Sequence, residues 1–453
     1  MTKSICPQCK EVVPGQIVYK DDKVFLARTC PQHGEFLGLI YTGVEAYENA
    51  LNITKPPQLP RKLFVPEFTG CPESCGLCPE HKQHTCMPII EITDHCNMSC
   101  PVCLARNKSS YFMPHSKFSA IIDNLLEAEE QFELITISGG EPTLHPDLLE
   151  LIEAAQRPEI ITISLSTNGR IFLQNEALLD KLIKKNVFLS LQFDGFDEAA
   201  YRLMRGQEML EEKLQILTLL EQHGASVSLV MTVMNGINNK EIGNVMRYFL
   251  EKDFIHSLMI QPIAFVNPVV PYDSARVMTI PHIAREIAAG SGGILHESDI
   301  INVPCSHPVC FAGTYLLKLD TGEFVPLPRL VEINDYLDII KNRSMPGLEN
   351  ESFEKIRDAI YNIWSITGIQ PESKKILAKL KNILCEVDKC GTHAMPQELF
   401  KAAYKKLKSI FIHNFMDAYS FDFDRIMKCC NHYPIGEKWL VPCCVHNNLM
   451  RWK

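Results

Sequence analysis

Ile89-Ile-Glu-Ile-Thr93, followed two residues later by Cys96-Asn-Met-Ser-Cys100-Pro-Val-Cys103, is the stretch on which the fold turns. Its first half is a short, apolar, β-rich run, and five more such runs come after it: Leu134–Ser138, Ile160–Thr167, Val187–Asp194, Val227–Met234 and Leu258–Ala264. Between them lie segments 118–130, 146–156, 177–185, 208–223 and 239–252, with apolar residues three and four apart, the period of a helix. The second is expected to open at Leu144-His145-Pro146, with the proline inside its first turn. Alternating β and α over this length implies a parallel sheet with right-handed crossovers, either a barrel or an open sheet. Functional groups then belong at the C-terminal ends of the strands, where the three cysteines already sit.

Outward from this core, a chain of 453 residues is too long for one ordinary domain and implies a main body with smaller modules attached. A hydrophobic fraction of 46% with 22% charged residues excludes fibrous and disordered classes. The 45 Lys plus Arg against 54 Asp plus Glu, with no long basic run, argue against nucleic acid as a partner. MTKSICPQCK lacks the apolar stretch of a signal peptide, and no run of about 18 apolar residues could span a bilayer, so a cytoplasmic protein with no transmembrane segment is expected. Eighteen cysteines in that setting point to metal ligation or catalysis rather than disulfides. Ten precede residue 104 and eight follow residue 304, so metal modules are expected on either side of a cysteine-free body.

Four regions are expected. Residues 1–50 carry Cys6-Pro-Gln-Cys9 and Cys30-Pro-Gln-His33, two ligand pairs around a β-like segment with Ile17, Val18, Val24 and Phe25. Cys6, Cys9, Cys30 and His33 form a closed set for one tetrahedral ion, zinc or mononuclear iron, in a rubredoxin-like or zinc-ribbon-like structural module. Residues 51–87 begin with the stiff linker Lys55-Pro-Pro-Gln-Leu-Pro60 and continue to Cys71, Cys75, Cys78 and Cys86. Those four thiolates suit an auxiliary [4Fe–4S] cluster that passes electrons, or a zinc atom, with His81 and His84 as loop residues. Residues 88–290 form the core. Residues 291–453 offer Cys305 and Cys310, the pair Cys429-Cys430 and the pair Cys443-Cys444, enough for a further metal site. Helices are expected there at 352–365, 372–384 and 396–412; the last has Leu399, Ala403, Leu407 and Ile410 on one face and Lys401, Lys405 and Lys408 on a solvated one. Cys385 and Cys390 are expected as buried small hydrophobes.

The chemistry starts from a count. Three thiolates for four irons leave one iron open to a ligand, whereas a fully ligated cluster only passes electrons. Three strand-end motifs follow the triplet in order: Ser138-Gly139-Gly140-Glu141-Pro142, Ser166-Thr167-Asn168-Gly169 and Gln192-Phe193-Asp194-Gly195. Small residues allow close approach of the backbone to a ligand, and Glu141 could stabilise a charged amino group.

The cysteine triplet with these motifs in order resembles the radical S-adenosylmethionine (SAM) superfamily. The resemblance implies an α/β fold built on a partial (β/α)6 TIM-type barrel, and a catalytic [4Fe–4S] cluster on Cys96, Cys100 and Cys103. It implies a SAM site in which Ser138, Gly139, Gly140 and Glu141 meet the methionine amino group, and Ser166, Asn168, Gln192 and Asp194 lie by the ribose and methionine portions. Gln261 and Ile263 fall on the adenine side. Val102 also belongs to that site and departs from the family, where this position is often aromatic. CPxC with CPxHG, the four-cysteine element, PCSHPxC, FMDAYSFD and the late cysteine pairs narrow the likeness to archaeal tetraether synthases and pterin methyltransferase-like proteins. That pattern implies Cys305, Cys310, Cys429 and Cys444 as ligands of a second auxiliary cluster, although spacing does not choose within either adjacent pair. The implied activity is reductive cleavage of SAM to a 5′-deoxyadenosyl radical, which takes hydrogen from an unactivated carbon of a lipid-like or pterin-like small molecule, leading to C–C coupling or alkylation. A low-potential ferredoxin- or flavodoxin-type donor is implied with it. Two alternatives stand beside this: a peptide-modifying radical SAM maturase with auxiliary clusters, and a non-enzymatic iron–sulfur electron carrier, which would need no open iron.

Overall fold

Residues 2–65, 70–105, 110–319, 321–343 and 407–451 are described by the structure, a computed structural model. The helices expected at 352–365 and 372–384, the part of 396–412 before residue 407, and Cys385 and Cys390 lie outside these residues.

The first strands form a sheet of their own. β1 (Thr2–Ile5), β2 (Val12–Lys20), β3 (Lys23–Cys30) and β4 (Gly34–Thr42) are antiparallel neighbours in chain order. α1 (Val44–Asn52) follows. This ribbon docks on the segment 415–422: Ser4 Oγ donates to the Phe421 carbonyl (2.6 Å), Arg28 Nη2 to the Ala418 carbonyl (2.9 Å) and Thr2 Oγ1 to Asp422 (2.6 Å). The approach is close enough that a Cβ on Gly38 would sit 1.9 Å from the Tyr419 carbonyl oxygen.

All six β-rich runs become parallel strands: β5 (Met87–Thr93), β6 (Phe132–Gly139), β7 (Ile160–Thr167), β8 (Phe188–Gln192), β9 (Val227–Val233) and β10 (Ile255–Pro262). Helices α2 (His115–Glu129), α3 (Leu148–Ala155), α4 (Glu176–Lys184), α6 (Leu210–Gln222) and α7 (Glu241–Glu251) cover them, each turning one apolar stripe inward; on α2 the stripe is Phe118, Ile121, Ile122, Leu125 and Ala128. α5 (Glu198–Arg205), a short helix after β8, was not expected. The start of α3 also differs: Asp147 is its N-cap and Pro146 precedes it, because Glu141 has already turned Pro142–Leu144 into a 3-10 turn by accepting from Thr143 N–H.

Later strands extend this sheet on both edges. Beyond β10 come β14 (Leu407–His413), parallel to it, and then β12 (Phe311–Lys318) and β11 (Ile301–Asn302), with β13 (Phe324–Pro326) paired to β12. Beyond β5 come β15 (Asn431–Ile435), parallel to it, and β16 (Trp439–Pro442). Leu407–His413 therefore corrects the helix expected up to residue 412: Ile410 and Ile412 are fully buried on one face of a strand that alternates with period two. Lys408 is not solvated either. It is 4% exposed, and its ammonium donates to the carbonyls of Phe249, Lys252 and Ile255 at the end of α7, at 2.5, 2.7 and 2.8 Å. Three acceptors match the three donors of an ammonium placed where a helix dipole favours positive charge. α8 (Ile280–Gly290), α9 (Ile333–Ile340) and α10 (Phe423–Met427) complete the helices used below. Among the described residues no helix is long and apolar enough to cross a membrane.

Candidate active site

A cavity of about 400 Å³ runs through the barrel. It is lined by Cys96, Cys100 and Cys103, all half-buried on the loop after β5, and also by Cys86, Cys305, Cys310, Cys429, Cys430, Cys443 and Cys444. Burial pushes the Cys96 thiol up to about 12, reinforced by the negative charge of Glu141 and the neighbouring cysteines, and burial raises Cys103 as well. Thiols held this far up need a bound cation to become thiolates.

The glycines after β6 have a specific cause. A Cβ on Gly139 would lie 2.2 Å from the Thr93 carbonyl oxygen, and one on Gly140 would lie 2.2 Å from that of His95. Their first task is to let the cysteine-bearing loop pack on the end of β6, fixed by Gly140 N–H to Thr93 O and Glu141 N–H to His95 O, both 2.8 Å.

Glu141 and Asp194 are both held by donors of the chain itself. Glu141 is 1% exposed and accepts four hydrogen bonds: from Thr143 N–H (3.1 Å), Thr143 Oγ1 (2.6 Å), Thr167 Oγ1 (2.7 Å) and Asn168 N–H (2.7 Å). Three of these fall on Oε1 and one on Oε2, so Glu141 straps β6 to β7 and keeps acceptor capacity on Oε2 at the cavity wall. Asp194 is fully buried and also accepts four: from Gln192 Nε2 (2.6 Å), Thr232 N–H (3.0 Å), Arg205 Nε (2.6 Å) and Arg205 Nη2 (2.8 Å). Arg205, which sequence reading missed, also lines the cavity. Burial works against its charge, and the bidentate pair with Asp194 more than offsets this. Its only signal was an arginine on the inward face of a strongly amphipathic eight-residue segment.

Other expected residues do converge on the cavity. Ser138, Ser166, Asn168, Gln192, Gln261 and Val102 line it. Asn168 Nδ2 donates to Asn97 in the cysteine loop (2.8 Å), and its carbonyl accepts from the buried Lys213 (2.6 Å). Val102 and Ile263 join Met204, Met234 and Phe265 in one apolar cluster.

The remaining cysteines are grouped differently from their spacing. Cys6, Cys9, Cys30 and His33 bring four ligand atoms within 4.8 Å of one another, with separations such as Cys9 Sγ to Cys30 Sγ of 3.9 Å. That is close to the edge of about 3.8 Å expected of a tetrahedron with metal–sulfur bonds of about 2.3 Å. Cys86, expected with Cys71, Cys75 and Cys78, instead stands within 4.8 Å of Cys305 and Cys430, all three buried. The cause is strand pairing: β15 lies parallel to β5, and Cys86 N–H donates to the Cys430 carbonyl at 2.9 Å, so the residues just before the two strands meet. Cys430, passed over in the sequence, thus belongs beside Cys86, while its neighbour Cys429 is not among the cysteines grouped there. Cys75 is tied to β16, where Trp439 Nε1 donates to the Cys75 carbonyl (3.1 Å). His81 and His84 lie in a loop, as expected, and are buried there; His84 Nδ1 is 3.0 Å from Glu129 and its Nε2 3.4 Å from Cys86 Sγ.

Comparison with known proteins agrees with this layout. The Radical SAM superfamily model matches residues 90–249, and the HMPTM N-terminal zinc ribbon domain model matches residues 1–42. The 7,8-dihydro-6-hydroxymethylpterin dimethyltransferase of Methanocaldococcus jannaschii is 30% identical over 99% of this chain and 94% of its own length. The chain belongs to that family of radical SAM proteins. A probable GTP 3′,8-cyclase of Pyrococcus horikoshii is 27% identical over 38% of this chain and 54% of its own. Among solved structures, native anSMEcpe with bound AdoMet is 20% identical, covering 45% of this chain and 59% of its own with a TM-score of 0.37.

As a radical SAM enzyme the protein uses a [4Fe–4S] cluster and SAM, with zinc or iron in the ribbon and auxiliary clusters on the other cysteines. The residues present fit these groups. Every site offers soft sulfur donors, buried where a free thiolate would be costly, and the ribbon adds one imidazole in a closed set of four.

Proposed function

We propose that this protein alkylates a polar, pterin-like heterocycle at carbon by radical chemistry. When bound, the catalytic cluster and SAM supply a 5′-deoxyadenosyl radical able to take hydrogen from carbon. The chain's own contribution is to orient both partners in a dry cavity. Cys96, Cys100 and Cys103 hold the cluster; Ser138, Gly139, Gly140, Ser166, Asn168 and Arg205 face the methionine part of SAM, and Val102, Ile263 and Gln261 its adenine. A low-potential ferredoxin- or flavodoxin-type protein in the cytoplasm supplies electrons.

The observation that carries the choice of substrate is the strand wall of the cavity. Thr136, Thr162, Ser164, Ser190, Ser228 and Ser257 line it from five successive strands, Ser164 and Ser190 bonded to each other at 2.8 Å, and Gln192 Oε1, also there, is buried without a hydrogen-bond partner among the described residues. An acyl chain would leave Gln192 Oε1 dry and unpaired, at about 1–3 kcal/mol for a group so stranded. A heterocycle with ring N–H groups pairs with it. The activity of the M. jannaschii relative supports the same class. The test is anaerobic turnover with dithionite and SAM, offering 7,8-dihydro-6-hydroxymethylpterin or a dialkylglycerol lipid and measuring 5′-deoxyadenosine and product mass. Expected are 5′-deoxyadenosine release and a heavier pterin; stimulation by the lipid alone would show that C–C coupling of lipid chains is the activity instead.

A further inference from the structure

Arg425, on α10, is 2% exposed and lines the cavity. Its Nε donates to Cys310 Sγ at 3.2 Å and its Nη2 to the Asn414 carbonyl at 2.9 Å. Among the described residues no carboxylate lies within ion-pair distance of it. Other largely buried arginines are matched: Arg205, in the cavity wall, holds Asp194 at 2.6 Å, and Arg451, outside it, holds Glu91 at 2.8 Å. Asp422, at the start of α10, is committed to Thr2 (2.6 Å) and to the N–H of Asp424 (2.9 Å). A buried guanidinium needs a counter-charge, since its desolvation is otherwise uncompensated. The negative charges that favour its ionised form are those of Cys310 first, then Cys444 and Asp422.

We infer that Arg425 is the counter-charge of a metal-bound thiolate at Cys310, and that it raises the reduction potential of the auxiliary cluster there. This rests on the reading that Cys310, Cys429 and Cys444 ligate such a cluster. Each electron taken up adds negative charge to the cluster and its sulfurs, and an N–H···S bond from a cation stabilises the more negative state. The site would thus be tuned to accept electrons more readily than a cluster held by the same sulfurs without the cation. Arg425 touches sulfur and not substrate, so it is a positioning residue.

The experiment is EPR-monitored potentiometry in a Cys96→Ala/Cys100→Ala/Cys103→Ala background, which removes the catalytic cluster's signal. Arg425→Gln is expected to shift the reduction equilibrium of one auxiliary cluster about tenfold towards the oxidised form, a fall of about 59 mV for one electron. Arg425→Lys, which keeps the charge without the planar fork, should fall between Gln and Arg. Iron content after Cys310→Ala separates the two levels of the argument. Wild-type iron in Cys310→Ala refutes ligation by Cys310. Lost iron in that variant, with unchanged potentials in Arg425→Gln and Arg425→Lys, refutes the counter-charge alone. Should Arg425→Gln fail to fold, Arg425→Lys against wild type decides by the same criterion.

Discussion

Replacing Glu141 by glutamine is the sharpest test of how the catalytic site is built. Oε1 accepts three of the four hydrogen bonds and Oε2 accepts one, from Asn168 N–H at 2.7 Å. The amide oxygen of glutamine will take the position with three donors, which puts its NH2 against Asn168 N–H, donor facing donor. One hydrogen bond to a charged acceptor disappears, worth about 1.5–3 kcal/mol, and a buried donor is left unpaired at about 1–3 kcal/mol. A loss near 3–5 kcal/mol is expected in urea denaturation of the anaerobically purified protein. Because Asn168 is also tied to Asn97 in the cysteine loop, SAM affinity in equilibrium binding should fall with it. A variant within about 0.5 kcal/mol of wild type, the range of an ordinary surface substitution, would refute the strap.

Three further outcomes are expected. Gly38→Val cannot coexist with the Tyr419 carbonyl 1.9 Å from its Cβ position, so the ribbon should undock and limited proteolysis near residues 53–60 should accelerate; an unchanged cleavage pattern contradicts the docking. Cys430→Ala and Cys86→Ala should each lose the same share of iron, with Cys71→Ala sparing that share; iron analysis that pairs Cys86 with Cys71 instead would restore the grouping read from spacing. Burial lowers the Lys213 pKa from 10.5 to about 7. The unfolded chain therefore binds a proton that the folded one lacks between these values, so this lysine's contribution to stability rises with pH through that window. Urea midpoints should climb more steeply from pH 7 to pH 10 in wild type than in Lys213→Met, and equal slopes would dismiss the effect.

The barrel was legible because parallel strands covered on both faces read as short apolar runs, as in Ile160–Thr167, whose buried residues run almost without a break. The cysteine triplet was legible because its three members are local in sequence. Strand ends announced polar residues but not their partners: Glu141 and Asp194 accept from donors on β7, β9 and α5 that no spacing reveals. Cys86 and Cys430 could not be paired from sequence, since 343 intervening residues separate them and the contact depends on β15 choosing β5 as its neighbour. Leu407–His413 satisfied a helical and an alternating pattern together, and the free edge of β10 decided between them.

Closure of the sheet from both sides has a consequence for how the chain matures. β5 and β10 gain their outer neighbours β15 and β14 from residues 407–435, which leave the ribosome hundreds of residues after β5. Until then two strand edges stay exposed, and the cysteines at 86 and 430 are on separate parts of a growing polypeptide. Metal delivery to that group of cysteines must wait until residue 430 has been made, whereas the ribbon at residues 6–33 is able to load its ion early. Starving cells of iron during expression should then yield a protein with an aggregation-prone, half-finished wheel.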